Sequence, residues 1–148
     1  MVKRILPVVF ALSLLTISSR DQEALGQSIT TPQVSPRAVT SQTIGLTDVT
    51  ITYHRPAVKG RKIWGGLVPF DGGKPIPWRA GANENTTISF THDVLIEGKR
   101  LGAGTYGLHM IPSAKEWVVI FSKNYTSWGS FSYREDEDAL RVTVQPRL

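Results

Sequence analysis

Apolar and polar residues alternate with a period of two through most of the chain. Val49, Ile51 and Tyr53 are separated by Thr50, Thr52 and His54, while Ile88 and Phe90 sit among Thr87, Ser89 and Thr91. Successive side chains of a strand point to opposite faces, so each run predicts a half-buried strand with its apolar members inward. Val94-Leu95-Ile96, then Glu97-Gly98, then Lys99-Arg100-Leu101 predicts a hairpin, with glycine relieving the positive φ of a tight primed turn. Tyr106, Leu108 and Met110 share one side of residues 105–111, and Pro112 ends that segment by removing a ladder donor. WVVIF at 117–121 is apolar on both faces and is expected to be the most buried strand. Leu140, Val142 and Val144 close the series. Helical periodicity is absent from this region, with room for a turn or two at most within 62–69. Short strands joined by glycine-rich connections predict a single all-β domain: an antiparallel β-sandwich, or alternatively a β-barrel.

The N-terminus carries a different pattern. Lys3 and Arg4 precede ILPVVFALSLLTI, an uncharged apolar run, and a polar stretch then leads to Ala24-Leu25-Gly26. A basic start, a short apolar segment and small residues before a cut after Gly26 predict a signal peptide over 1–26. The apolar run is too short for a bilayer crossing, which needs about 20 helical residues. The expected location is periplasmic or extracellular, with no stable membrane insertion after cleavage. QSITTPQVSPR at 27–37 is polar with two prolines and reads as a linker, leaving 38–148 as the β-rich domain.

Charge narrows the partners. The formal net charge is +5, and the signal peptide carries only one more basic than acidic residue. Arg55, Lys59, Arg61, Lys62, Lys74 and Arg79 are nevertheless bunched, with Asp71 the acidic residue among them. Such a patch suits an anionic ligand or a solvated basic face. No nucleic-acid-reading motif accompanies it, so nucleic acid is not an expected partner. The absence of cysteine excludes disulfides, a thiolate nucleophile and cysteine-ligated zinc.

The densest candidate chemistry lies in WRAGANENTTI, residues 78–88. Arg79 offers a planar fork of donors, Asn83, Glu84 and Asn85 offer acceptors and carboxamides, and Trp78 offers a flat apolar platform. With Arg55 beyond the end of a strand, these residues predict a polar recess for a small polar or saccharide ligand: Arg55, Trp78, Arg79, Asn83, Glu84 and Asn85. The alternative is that Arg79 pairs with Glu84 while the asparagines satisfy turn backbone. A hydrolase would use Glu84 as general base, and a glycosidase would need a second carboxyl group. Asp71, Asp93 and Glu116 are available, and spacing does not choose among them. His54, His92 and His109 are the histidines open to a metal, but none lies in an H-x-H or H-E-x-x-H arrangement, so neither metal nor cofactor is expected. Glu135 to Asp138 are expected to form a solvated turn, since adjacent carboxylates repel when buried. The favoured function is a non-catalytic binding module, against a hydrolase or a structural envelope protein.

Several blocks together carry a resemblance: Tyr53-His54-Arg55-Pro56, then VKGRKIWGGLVP from Val58, WRAGANE from Trp78, Ala103-Gly104-Thr105-Tyr106, Ile111-Pro112 and Trp128-Gly129. They resemble domain-of-unknown-function family 2911, a family of exported bacterial proteins. The resemblance spans nearly all of the chain beyond the signal peptide. It implies an exported, mainly β domain and brings no assigned activity, so it assigns no catalytic residue. Two departures stand out: His109 replaces an aromatic common in the family, and 71–77 forms a longer link. Family members also generally continue with further strand-forming sequence beyond Leu148. A chain truncated there would leave a strand edge inclined to associate.

Overall fold

A computed structural model of the chain describes residues 30–70 and 77–147. The signal peptide expected over 1–26, the start of the linker and most of the 71–77 insert lie outside the described residues. The strands are β1 (Arg37–Ile44), β2 (Thr47–His54), β3 (Thr87–Phe90), β4 (Val94–Ile96), β5 (Lys99–Leu101), β6 (Gly104–Pro112), β7 (Trp117–Ser122) and β8 (Asp138–Val144). Six of them form an antiparallel sheet in the order β1-β2-β3-β6-β7-β8, and β4 and β5 form a two-stranded sheet. The outer strands β1 and β8 do not pair, so the larger sheet stays open and the barrel alternative does not hold.

Register explains the core. Val49 lies opposite Phe90, Leu108 opposite Phe121, and Phe121 opposite Leu140; Met110, Val119 and Val142 form the next row. Directly paired residues of antiparallel strands share a face, and this face carries the core. Phe90, Leu101, Leu108, Phe121 and Val142 are buried together, with Val94 and Ile96 packed against them. The β4–β5 hairpin is therefore the second layer of an unequal sandwich. Its turn has positive φ at both Glu97 (48°) and Gly98 (76°), as a primed turn requires.

Trp64 covers another part of this core face. Its ring lies 5.3 Å from that of Phe70, 6.4 Å from Trp78 and 5.5 Å from Trp117. Residues 62–69 do not form the helical turn that spacing left room for. They make tight turns instead, with Gly65 N–H donating to the Val68 carbonyl and Val68 N–H to that of Ile63.

The opposite face is also covered, but only over part of the sheet. His109, Ile120 and Arg141 form a row across β6, β7 and β8. His109 is buried, Ile120 is fully buried, and Arg141 is half-buried beneath residues of the β7–β8 connection. Burial on both sides is why 117–121 shows no alternation. The acidic run departs from expectation at its end. Glu135–Glu137 make a single 3-10 turn in which Glu135 and Asp136 are exposed and Glu137 is half-buried, accepting from Asn124 Nδ2, whereas Asp138 opens β8 with its side chain only 10% exposed. It is not solvated, because Tyr133 and Arg141 bind its carboxylate.

Candidate functional site

Residues 55–86 connect β2 to β3, and they do more than close a turn. Pro56 and Val58 form one wall of a cavity of about 310 Å3; Ile63, Leu67 and Val68 form another. Trp78, Arg79, Gly81 and Ala82 face them, and Arg61 also lines the space. A second cavity of about 300 Å3 shares Pro56, Ala57, Arg61 and Ala82 with the first and adds Lys59 and Val34.

Backbone pairing sets this wall in place. Trp78 N–H donates to the Met110 carbonyl at 2.7 Å, and Met110 N–H returns the bond at 2.8 Å. Residue 78 thus extends the sheet beside β6 where β3 has not yet begun. The chain then bends through Ala80 (φ 54°) and Asn83 (φ 58°). A Cβ at Gly81 would meet Thr86 Oγ1 at 2.9 Å and the His54 carbonyl at 3.3 Å, so the missing side chain lets the bend lie on the end of β2. The Thr86 hydroxyl donates to the Ala80 carbonyl, tying the bend to β3.

Arg79 donates from Nη1 to the Asn83 carbonyl at 3.0 Å, and its guanidinium lies 5.6 Å from the centre of the Phe131 ring. It reaches that position past Gly129, where a Cβ would stand 2.5 Å from Nη1. Arg61 is held by its own loop, with Nε donating to the Val58 carbonyl at 3.1 Å and Nη2 to that of Ala57 at 2.5 Å.

Of the residues expected to bind a ligand, Trp78 and Arg79 line the cavity. Arg55 is exposed and is not in the lining. Asn83 donates weakly toward Gln33 and the Ser35 carbonyl. Asn85 is buried and donates to the Asn124 carbonyl at 3.2 Å, joining this bend to the β7–β8 connection. Glu84 pairs not with Arg79 but with His54, whose Nε2 lies 3.3 Å from Glu84 Oε2. His54 is buried, and its Nδ1 has no hydrogen-bond partner. The walls are thus more apolar than the sequence suggested, because most carboxamides of the bend serve the fold.

The possible second carboxylates are placed as follows. Asp93 accepts from Arg100 Nη2 at 2.6 Å and from Ala103 N–H at 2.8 Å, and these bonds hold its carboxyl below the usual aspartate range. Glu116 sits in the β6–β7 turn, and Asp71 lies outside the described residues. The three histidines have separate partners: His54 has Glu84, His92 has Thr91, and His109 has Ser130. Among the described residues, no group of three or more His, Cys, Asp or Glu is placed to hold a metal ion.

Sequence reasoning missed a buried polar group under the β7–β8 connection. His109 Nδ1 lies 2.8 Å from Ser130 Oγ, and its ring meets that of Tyr133 edge to face at 5.2 Å. Burial lowers the His109 pKa below that of a free histidine, with the Asp138 charge acting in the other direction. Tyr133 donates to Asp138 at 2.7 Å, and burial, then that bond, push its hydroxyl up to about 12. Arg141 reaches both Tyr133 and Asp138. The parity of His109 opposite the Leu108/Met110 face was a signal for its direction; nothing short-range marked Ser130 or Tyr133 as its partners.

No curated protein and no solved structure matches this chain. The family model described as protein of unknown function DUF2911 matches residues 35–148, which spans the eight described strands, the walls of the first cavity and the buried His109 group. The chain belongs to the DUF2911 family.

Proposed function

We propose that the domain is a non-catalytic binding module that takes a small organic ligand in the cavity between residues 56–68 and 78–82. The cavity itself carries the reading: about 310 Å3 of space, walled mainly by apolar side chains and Trp78, with Arg61 and Arg79 among its lining residues. Small-ligand sites have this general make-up, with apolar walls and a few polar groups that orient the ligand. The aromatic platform and Arg79 keep a saccharide or other small polar ligand within the reading. A screen of glycans and small metabolites by ligand-observed NMR tests it on wild type, Trp78→Ala and Glu84→Gln. Binding that is lost with Trp78→Ala and kept with Glu84→Gln supports the module; silence across the screen leaves the structural envelope role as the better account.

The hydrolase reading has one observation in its favour. His54 and Glu84 form a carboxylate–imidazole pair at 3.3 Å, and Glu84 is half exposed beside a buried ring. Such a pair can accept a proton from water. Turnover of a screened ligand that disappears in Glu84→Gln while binding persists would favour the enzyme. The reading also takes the module to be exported, supported by the order of charges and apolar residues in 1–26. N-terminal sequencing of protein recovered from the periplasm or medium should begin at Gln27.

A further inference from the structure

We infer that the ligand is an amphipathic anion: a short apolar body bearing one carboxylate or phosphate head. The inference rests on the small-ligand reading of the cavity and adds its chemical class.

The charge of the walls is one-sided. Arg61 and Arg79 line the first cavity, and Lys59 joins Arg61 at the second. Among the described residues, neither lining contains a carboxylate. None of these three cations takes part in an ion pair among the described residues; the ion pairs there belong to His54, Arg100, Arg134 and Arg141. Unpaired cations gathered along a concave surface raise the local concentration of anions.

Arg61 is also fixed in position. Two of its nitrogens hold the carbonyls of Val58 and Ala57, so its charge is set at the wall shared by the two cavities. A guanidinium anchored by its own loop loses less entropy on taking an oxyanion than a free side chain would.

The rest of the first cavity is apolar. Ile63, Leu67, Val68 and Trp78 bring no charge to it. A wholly polar ligand would leave these walls wet, and a neutral hydrocarbon would leave Lys59 and Arg61 unused. One molecule with an apolar body and an anionic head satisfies both parts. The two volumes, about 310 and 300 Å3, suit a body beside Trp78 and a head near Lys59 and Arg61.

The test uses the chain beginning at Gln27 and isothermal titration with octanoate, octyl phosphate, 1-octanol, inorganic phosphate and methyl glucoside. Octanoate and octyl phosphate should bind at least about tenfold tighter than octanol, the effect of a charge-assisted contact, and should weaken as salt rises. Arg61→Gln should cost them about tenfold and leave octanol unchanged. Because Arg61 also braces its loop, Lys59→Asn gives a second measurement; asparagine tolerates the positive φ of 46° at that position and removes the charge. It should weaken both anions a few-fold with no change in melting temperature. Octanol binding as tightly as octanoate, or methyl glucoside binding while the anions do not, overturns the anionic class and leaves the small-ligand module standing. Inorganic phosphate binding as tightly as octyl phosphate overturns the apolar body. Protein that ignores all five probes overturns both readings.

Discussion

Gly107 shows how one residue can hold two loops together. It lies on β6 between Thr87 and Ser122, beneath the bond from Asn85 to the Asn124 carbonyl. A Cβ there would stand 2.6 Å from that carbonyl oxygen and 3.1 Å from the Asn85 carboxamide nitrogen. Backbone and a buried amide cannot yield as a flexible side chain could, so Gly107→Ala should destabilise by about 1–3 kcal/mol. Chemical denaturation of the two proteins checks this, and equal midpoints would mean that the loops part at little cost. His109 permits a prediction in pH. Burial lowers its pKa below the ordinary value of 6.5, so the folded state holds fewer protons than the unfolded one. Stability must then fall as pH drops below about 6.5, where the unfolded histidine begins to protonate, and continue to fall through the folded value. Tyr133 and Arg141 sit beside the ring's neighbour Asp138, whose charge limits the effect. His109→Gln should remove this part of the acid limb, seen as a smaller loss of unfolding free energy between pH 7 and pH 5. Parallel curves for the two proteins would show that His109 does not titrate in that window.

At the scale of elements, alternation located the strands wherever one face was wet. Ile88 and Phe90, Tyr106 through Met110, and Leu140 through Val144 all point as their spacing requires. The pattern was silent for β1, because nearly all of RAVTSQTI is exposed and neither face is sorted by polarity. It was equally silent about the cover over His109, since residues 123–134 form no periodic element and their partners are distant in sequence. The bend at 78–85 was legible as a concentration of polar groups but not as a set of contacts. Composition could not reveal that Asn85 would reach Asn124, or that Glu84 would meet His54 instead of Arg79. The β4–β5 turn was legible down to its glycine, and it carries a flaw that can be improved. Glu97 has φ of 48° at the first turn position, a conformation costing a residue of its kind about 1–2 kcal/mol. Asparagine occupies that position readily, so Glu97→Asn should raise stability by roughly 0.5–1 kcal/mol. Thermal melting checks it; a lower midpoint would mean that the Glu97 carboxylate makes a contribution the turn geometry hides.

At the scale of the whole domain, the larger sheet is open and its two outer strands are not equivalent. Along β8, Lys99 from the small hairpin donates to the Arg141 carbonyl, so part of that strand's backbone is already engaged. Among the described residues, β1 has β2 on one side and no strand on the other. Its eight residues carry a single charge, Arg37, and expose Val39 at 50% and Ile44 at 62%. A long edge with free backbone donors and acceptors, few charges and exposed apolar groups is a template for another strand. A second copy of β1 lying antiparallel would bring two such edges together and pair their free backbone groups. Lysine on an edge opposes this, because two copies would face like charges across the new ladder while each monomer keeps its fold. Sedimentation velocity over a range of concentrations should therefore show reversible association of the wild-type domain and a monomer for the Val39→Lys/Gln42→Lys double variant. Both substitutions fall on exposed positions of an outer strand, so melting temperature should hardly move. Association that persists unchanged in the variant would assign it to another surface, with the exposed Trp128 and Phe131 the next residues to substitute.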